Sequence, residues 1–270
     1  MNKKNKVLLT SVGLALLSGI AATGSTFAWF TTTRTASVSY SKATVKSGQS
    51  NLLIDYVSSL NTMTESQAGS LLTLTGGNMV TDISGNGLNF YKPVWSANPA
   101  IASSINVVDF SSSADGLFID FTISVTIQGE ASMNVYLGAD TVISAFDANP
   151  ASVKAVASSR MAVIVDGVPV LYYAPDLDGA DPLSAASSTP VAIATATTAP
   201  LSPAPVASFT THTSNPVDYP GRILSLVPTL GSATKNVTFR AWVEGQDADC
   251  DNDAIGGIFK IDIDLFALEA

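Results

Sequence analysis

Residues 117–127 read Leu117-Phe118-Ile119-Asp120-Phe121-Thr122-Ile123-Ser124-Val125-Thr126-Ile127. From Ile119 onward, large apolar side chains alternate strictly with polar ones. That period of two belongs to a strand with one buried face, and it predicts the odd positions in the core. The pattern recurs in both directions along the chain. Thr35-Ala36-Ser37-Val38-Ser39-Tyr40 alternates small polar with apolar residues, and Met133-Asn134-Val135-Tyr136-Leu137 continues in the same style. Residues 161–165 and 168–173 flank Asp166-Gly167, the dipeptide that supplies two positive φ angles in a type I′ turn, so they predict a hairpin. Residues 222–227, 236–244 and 258–268 predict further strands; in the last, Ile261, Ile263 and Leu265 face inward and Asp262 and Asp264 outward. Residues 51–60 and 140–159 are expected to hold short helices.

Many short strands separated by turn signals imply an all-β fold, an antiparallel β-sandwich of the jelly-roll kind. The chain has 270 residues, which suits one large all-β domain. Lys and Arg number 13 against 22 Asp and Glu, for a net charge of −9, so a surface that neutralises phosphates, and with it nucleic-acid binding, is not expected. One cysteine excludes an intrachain disulfide framework, and one histidine removes most histidine-based metal and triad chemistry.

The N-terminus reads as an export signal. Lys3, Lys4 and Lys6 precede an uncharged run over residues 7–22, followed by Thr23-Gly24-Ser25-Thr26-Phe27-Ala28. A basic segment, an apolar segment and a small-residue site are the three parts of a cleavable signal peptide. Thr26 and Ala28 would occupy the −3 and −1 positions, and cleavage between Ala28 and Trp29 would release the mature protein. The division is therefore 1–28 signal peptide and 29–270 a single sandwich domain, secreted and without a stable membrane anchor once cut. An uncleaved anchor is the alternative, because the next charge after Lys6 is Arg34.

Residues 176–216 are dominated by Ala, Thr, Ser and Pro and contain no Lys or Arg. Such a segment lacks bulky groups to offset its ordering entropy and reads as a long surface loop. Asn236-Val237-Thr238 fits a glycosylation sequon but falls inside an expected strand.

Catalytic constellations are missing. His212 lies in the loop, without a zinc-protease helix, nucleophile elbow or phosphate loop around it. Glu130 and Glu244, near strand ends, read as solvated rim carboxylates rather than a glycosidase pair. No enzymatic activity is expected. The densest polar cluster runs from Glu244 to Asp253. Asp247, Asp249 and Asp251 have the alternate spacing of oxygen ligands for Ca²⁺, although Asn252 and Ile258 replace the Gly and Glu that an EF-hand needs. An acidic turn whose side chains bond their own backbone is the competing reading. Among these carboxylates Cys250 is a poor nucleophile and reads as a core-edge residue. No other cofactor is implied.

Two stretches carry a family resemblance. Gly24-Ser25-Thr26-Phe27-Ala28-Trp29-Phe30-Thr31, followed at once by an alternating strand, resembles the signals of TasA/camelysin-like secreted proteins of Firmicutes and relatives, which are cut by a dedicated SipW-type signal peptidase. The C-terminal run Arg240-Ala241-Trp242-Val243-Glu244-Gly245, through Asp249-Cys250 to Gly256-Gly257, is similar to the endings of exported proteins with such signals. The resemblance implies a jelly-roll subunit that polymerises head to tail into extracellular filaments of a biofilm matrix, at the cell surface or with other matrix components. It also implies that the N-terminal strand, within residues 29–47, leaves its own subunit to complete the next one. Phe30, Ala36, Val38, Tyr40 and Val45 would fill the acceptor. A short, β-prone, nearly uncharged terminal strand has the physical character of such a donor, and non-closing donation builds fibres. The alternative function is a monomeric adhesin or carbohydrate-binding module, using the acidic loop and Trp95 or Trp242.

Overall fold

The computed structural model describes residues 34–45, 51–61, 63–68, 71–80, 82–95, 102–107, 116–176, 201–209, 221–245, 247, 249–250 and 252–270. In chain order the strands are β1 (Arg34–Val45), β2 (Asn51–Ser58), β3 (Thr64–Ala68), β4 (Leu71–Val80), β5 (Asp82–Gly85), β6 (Phe90–Trp95), β7 (Ala102–Val107), β8 (Ile119–Gln128), β9 (Met133–Leu137) and β10 (Val142–Ala145). The helix α1 (Pro150–Ala157) follows. Then come β11 (Ser159–Val165), β12 (Val168–Tyr173), β13 (Arg222–Leu226), β14 (Ser232–Glu244) and β15 (Ile258–Glu269). The protein is all-β, with predominantly antiparallel pairing.

One sheet has the order β13-β9-β15-β1-β4-β3, with β10 also on β15. In the other, β12-β11-β14 continues through β8 to β2, and β5 joins β14 beyond the end of β8, carrying β6 and β7 with it. One apolar core draws on both sheets. Ile119, Phe121, Ile123, Val125 and Ile127 come from β8, with Val237, Phe239 and Ala241 from β14; Phe259, Ile261, Ile263 and Leu265 oppose them from β15. The alternation of β8 is thus realised residue by residue, because moving its register by one would turn the whole apolar set toward water.

The Asp166-Gly167 hairpin forms between β11 and β12, with φ of +52° and +76° at the turn. Residues 51–60 hold a strand, not the expected helix. Leu52 and Ile54 are buried while Leu53, Asp55 and Val57 are exposed, so the true period is two, and pairing with β8 decides the matter. Residues 140–159 divide between β10 and α1. Pro150 opens the helix, and the Asn149 side chain accepts the N–H of Ala151 at 3.1 Å.

A second core lies on the opposite face of β14. Trp242, Ala162, Ile164 and Tyr172 project there and are covered by Ile83, Phe90, Phe118 and Leu201. The Phe90 ring stacks on Phe118 with centroids 4.7 Å apart and meets Trp242 edge-on at 5.3 Å. These are favourable arrangements of ring quadrupoles. This second layer accounts for the even positions of β11 and β14 that a one-faced strand would leave polar.

Part of the expected 176–216 surface loop is docked. Val206 forms a parallel bridge with Tyr173, donating its N–H to Tyr172 O and accepting from Ala174 N. Leu201 is buried in the second core, and Phe209 is buried against the Tyr173 ring in the first. Two large side chains, one in each core, supply the anchorage that the average composition of the segment conceals. Residues 177–200 and 210–216, His212 included, lie outside the described residues.

Candidate assembly site

The N-terminal strand β1 is an interior strand, not an edge. It pairs parallel to β15 on one side and antiparallel to β4 on the other. Ala36, Val38, Tyr40 and Val45 lie in register with Phe259, Ile261, Ile263 and Ala267, four buried positions of β15. The apolar positions of β1 fall on even numbers up to Tyr40 and on odd numbers at Ala43 and Val45. The ladder has its irregularity between Tyr40 and Ala43, so the break in sequence alternation coincides with a break in register. Five residues, 46–50, connect β1 in one sheet to β2 in the other. Phe30 and the Ala28–Trp29 cleavage position lie outside the described residues.

The acidic turn after β14 is built as a structural clasp. Asp247 and Arg160 are both buried, with Arg160 Nη2 2.5 Å from Asp247 Oδ2. Asp247 Oδ1 accepts the N–H of Asp249 at 2.8 Å. Arg160 Nη1 donates to the carbonyls of Ser159 and Ala157 at 2.8 and 3.1 Å. Both oxygens of Asp247 are therefore engaged within the protein, and Asp251 lies outside the described residues. The expected trio of Asp247, Asp249 and Asp251 is therefore only partly within the described residues, and among those residues no group of three or more His, Cys, Asp or Glu is arranged to hold a metal ion. Cys250 is buried in the main core, as its sequence context predicts.

Glu244 is not a solvated rim carboxylate. It is buried, and its Oε2 accepts the Trp242 indole N–H at 3.3 Å and the Gly85 N–H at 3.4 Å. One of these partners, Gly85, belongs to β5, which pairs with the end of β14 and closes over it. Glu130 is exposed. Trp242 is fully buried, so it cannot stack on a sugar; the side chain of Trp95, in β6, lies outside what is described.

Sequence reasoning missed a groove of about 460 Å³ on the outer face of β8, β11 and β14. Thr122, Asn236, Thr238 and Arg240 give it polar walls, and Leu88 and Ile164 give it an apolar side. Thr122 and Thr238 hydroxyls bond one another at 2.7 Å across the ladder. Arg240 is held from below: Nε and Nη2 each lie 2.8 Å from Asp120 Oδ2, Nη1 donates to Gly87 O at 2.6 Å, and the guanidinium sits over the Phe118 ring. Asn236 of the sequon is exposed on this face within β14. The even positions of the alternating strands were its only sequence signal, and period two assigns them merely to solvent. Compared against family models and against curated proteins, the sequence matches none.

Proposed function

We propose that this protein is a secreted, non-enzymatic structural subunit that polymerises into extracellular filaments of the biofilm-matrix type by giving its N-terminal strand to a neighbouring copy, on a jelly-roll sandwich. The observation that carries this reading is the position of β1. A strand next to the N-terminal segment fills an interior slot between β15 and β4 and is tied to the rest of the chain by residues 46–50 alone. If it withdraws, β15 is left with an unpaired edge whose alternate residues are large and apolar, a template for the same strand from another copy. Exchange of an identical element needs no new recognition chemistry, since each contact already exists within one chain. The signal-like segment 1–28 supports export, and cleavage after Ala28 by a signal peptidase would free the strand.

The test is to produce the full chain in a secreting host, sequence the N-terminus of the released protein, and image it by negative stain. A Trp29 start with filaments is expected. Dispersed particles that stay monomeric at high concentration would overturn the reading.

A monomeric carbohydrate-binding module is the second reading. The groove beside Thr122, Asn236 and Thr238 favours it, since hydroxyls and an amide beside an apolar wall suit a saccharide. A glycan array on the released monomer decides it. Binding that is lost in Asn236→Ala, without any polymer forming, would make this the better account.

A further inference from the structure

The groove on the outer face of β8, β11 and β14 is walled by a loop that the fold holds in place. Thr122, Thr238 and Ile164 stand side by side across the three strands, since Thr238 is in register with both of the others. Asn236 and Arg240 flank Thr238 at alternate positions of β14, so the floor runs for about 14 Å along that strand. The Asp166-Gly167 turn closes the Asn236 end, and Leu88, in the loop between β5 and β6, stands at the Arg240 end.

That loop is bonded from within and from below. Asn86 Oδ1 accepts the N–H groups of Leu88 and Asn89 at 3.0 and 2.8 Å. Asn86 O accepts the Tyr172 hydroxyl at 2.7 Å, and Gly87 O accepts Arg240 Nη1 at 2.6 Å. Gly87 has a φ of +80° and comes so close to β11 that a Cβ there would lie 2.6 Å from that of Ala162. The wall therefore stands before any ligand arrives, and a volume of about 460 Å³ is within the range of small-ligand sites.

Charge selects a neutral ligand. Asp166 and Arg240 are the charged residues that line the groove. Asp166 Oδ2 is 2.5 Å from Lys235 Nζ, and Arg240 Nη2 is 2.8 Å from Asp120 Oδ2. Each has its counterion within the chain, so neither a carboxylate nor an amine on the ligand gains an unmatched partner there.

The remaining groups are hydroxyls, an amide and two aliphatic side chains. The Thr122 and Thr238 hydroxyls bond one another at 2.7 Å, which uses one of their two protons and leaves the other for a ligand. Asn236 adds an exposed amide, both donor and acceptor. The apolar part is buried Ile164 and half-buried Leu88, with no aromatic ring among the lining residues. A bare hexose ring offers a flat C–H face, which suits an aromatic platform. Two aliphatic side chains beside an amide and hydroxyls suit an acetamido group instead, whose methyl lies next to one N–H and one C=O.

We infer that this groove binds an N-acetylated hexosamine, with the acetamido methyl against Leu88 and Ile164 and its amide bonded by Asn236 and Thr238. This rests on the saccharide reading of the groove and names its ligand. It holds for a single subunit as for a filament, where it would give each copy a hold on an acetylated polysaccharide.

Calorimetric titration of the released chain with N,N′-diacetylchitobiose, its deacetylated counterpart and cellobiose tests it. The acetylated disaccharide should bind about tenfold more tightly than the other two, the scale on which a pocket tells apart small apolar groups. Thr238→Val keeps the shape and strand preference of the residue, and should weaken that binding roughly fivefold at an unchanged melting temperature. Leu88→Ala should bring the acetylated sugar and cellobiose to similar affinities. Cellobiose or the deacetylated sugar bound as tightly as the acetylated one would overturn the acetamido assignment and leave a saccharide groove standing. Acetylated-sugar binding that neither variant changes would overturn the placement. Binding of none of the three overturns the inference, and a glycan array on the same chain then shows whether the saccharide reading falls with it.

Discussion

Arg160 at the start of β11 and Asp247 in the turn after β14 form an ion pair in which both residues are almost completely buried. The pair ties the chain leaving β14 to the chain entering β11, two segments that are far apart in sequence and adjacent in space. Removing one member would leave an uncompensated charge in the interior, at a cost of about 3–5 kcal/mol. Asp247→Ala is expected to lose stability on that scale in urea unfolding, and exposed Asp166→Ala, which breaks only the surface pair with Lys235, to lose under about 1 kcal/mol. Equal losses from the two would show that the clasp contributes little.

The same clasp bears on calcium. A cation taking Asp247 as a ligand must first displace either the Arg160 guanidinium or the Asp249 N–H. Millimolar Ca²⁺ is therefore expected to leave the melting temperature of the parent unchanged, because only a ligand that prefers the native state raises it. A rise that Asp247→Asn abolishes would restore the acidic turn as a metal site.

The second core is expected to be as important as the first. Phe90→Ala removes a fully buried ring that touches both Phe118 and Trp242, and large-to-small changes of this kind cost about 3–5 kcal/mol. The loss should be accompanied by proteolytic cleavage near residues 86–89, because Phe90 helps fix β5 and β6 against β14. A Phe90→Ala protein with the parent's unfolding midpoint would mean that this layer is only loosely attached.

Tyr172 links this layer to alkaline stability. Burial pushes its phenol up to about 12, and its hydroxyl donates to Asn86 O at 2.7 Å. Burial also raises Tyr173 above its ordinary value. A phenol whose pKa is higher folded than unfolded contributes stability that is complete below pH 10 and lost as pH climbs toward 12, since the unfolded chain releases its proton first. Stability should fall over that interval, and Tyr172→Phe should flatten the fall. An identical pH profile in Tyr172→Phe would assign the loss to other groups.

How much of this was legible in the sequence follows from what each residue answers to. Ile119 to Ile127 answer to one sheet face, so their alternation reads directly as structure. Residues 51–58 alternate too, but with Leu53 and Val57 on the exposed face the apolar run looks continuous and suggests a helix. Trp242, Phe90 and Glu244 answer to a second layer, formed by β5 and β6 folding over β14 from far earlier in the chain; no local period encodes that return. Asp247 had the spacing of a metal ligand, yet its partner Arg160 is 87 residues away. The apolar alternation of β1 marked it as a strand, whereas its central place beside β15 is a matter of topology.

That central place yields the last prediction. β15 pairs with β1 over most of its length, and β1 separates it from β4. A chain beginning at residue 46 keeps β9 and β10 on one side of β15 but exposes its other edge, with Phe259, Ile261, Ile263 and Leu265 beneath. Such an edge is a liability, and among the described residues no other element lies beside it to cover it. The truncated chain is expected to precipitate or bind a reporter of exposed apolar surface. A peptide of residues 29–47 added during refolding should restore a cooperative transition, gaining about 2.7 kcal/mol when present at a hundred times its dissociation constant. A peptide with Ala36, Val38, Tyr40 and Val45 all changed to Asp should not, because those positions stand beside the apolar residues of β15. If the truncated chain is monomeric and melts like the parent, β1 contributes nothing that a neighbour could supply, and strand donation loses its driving force.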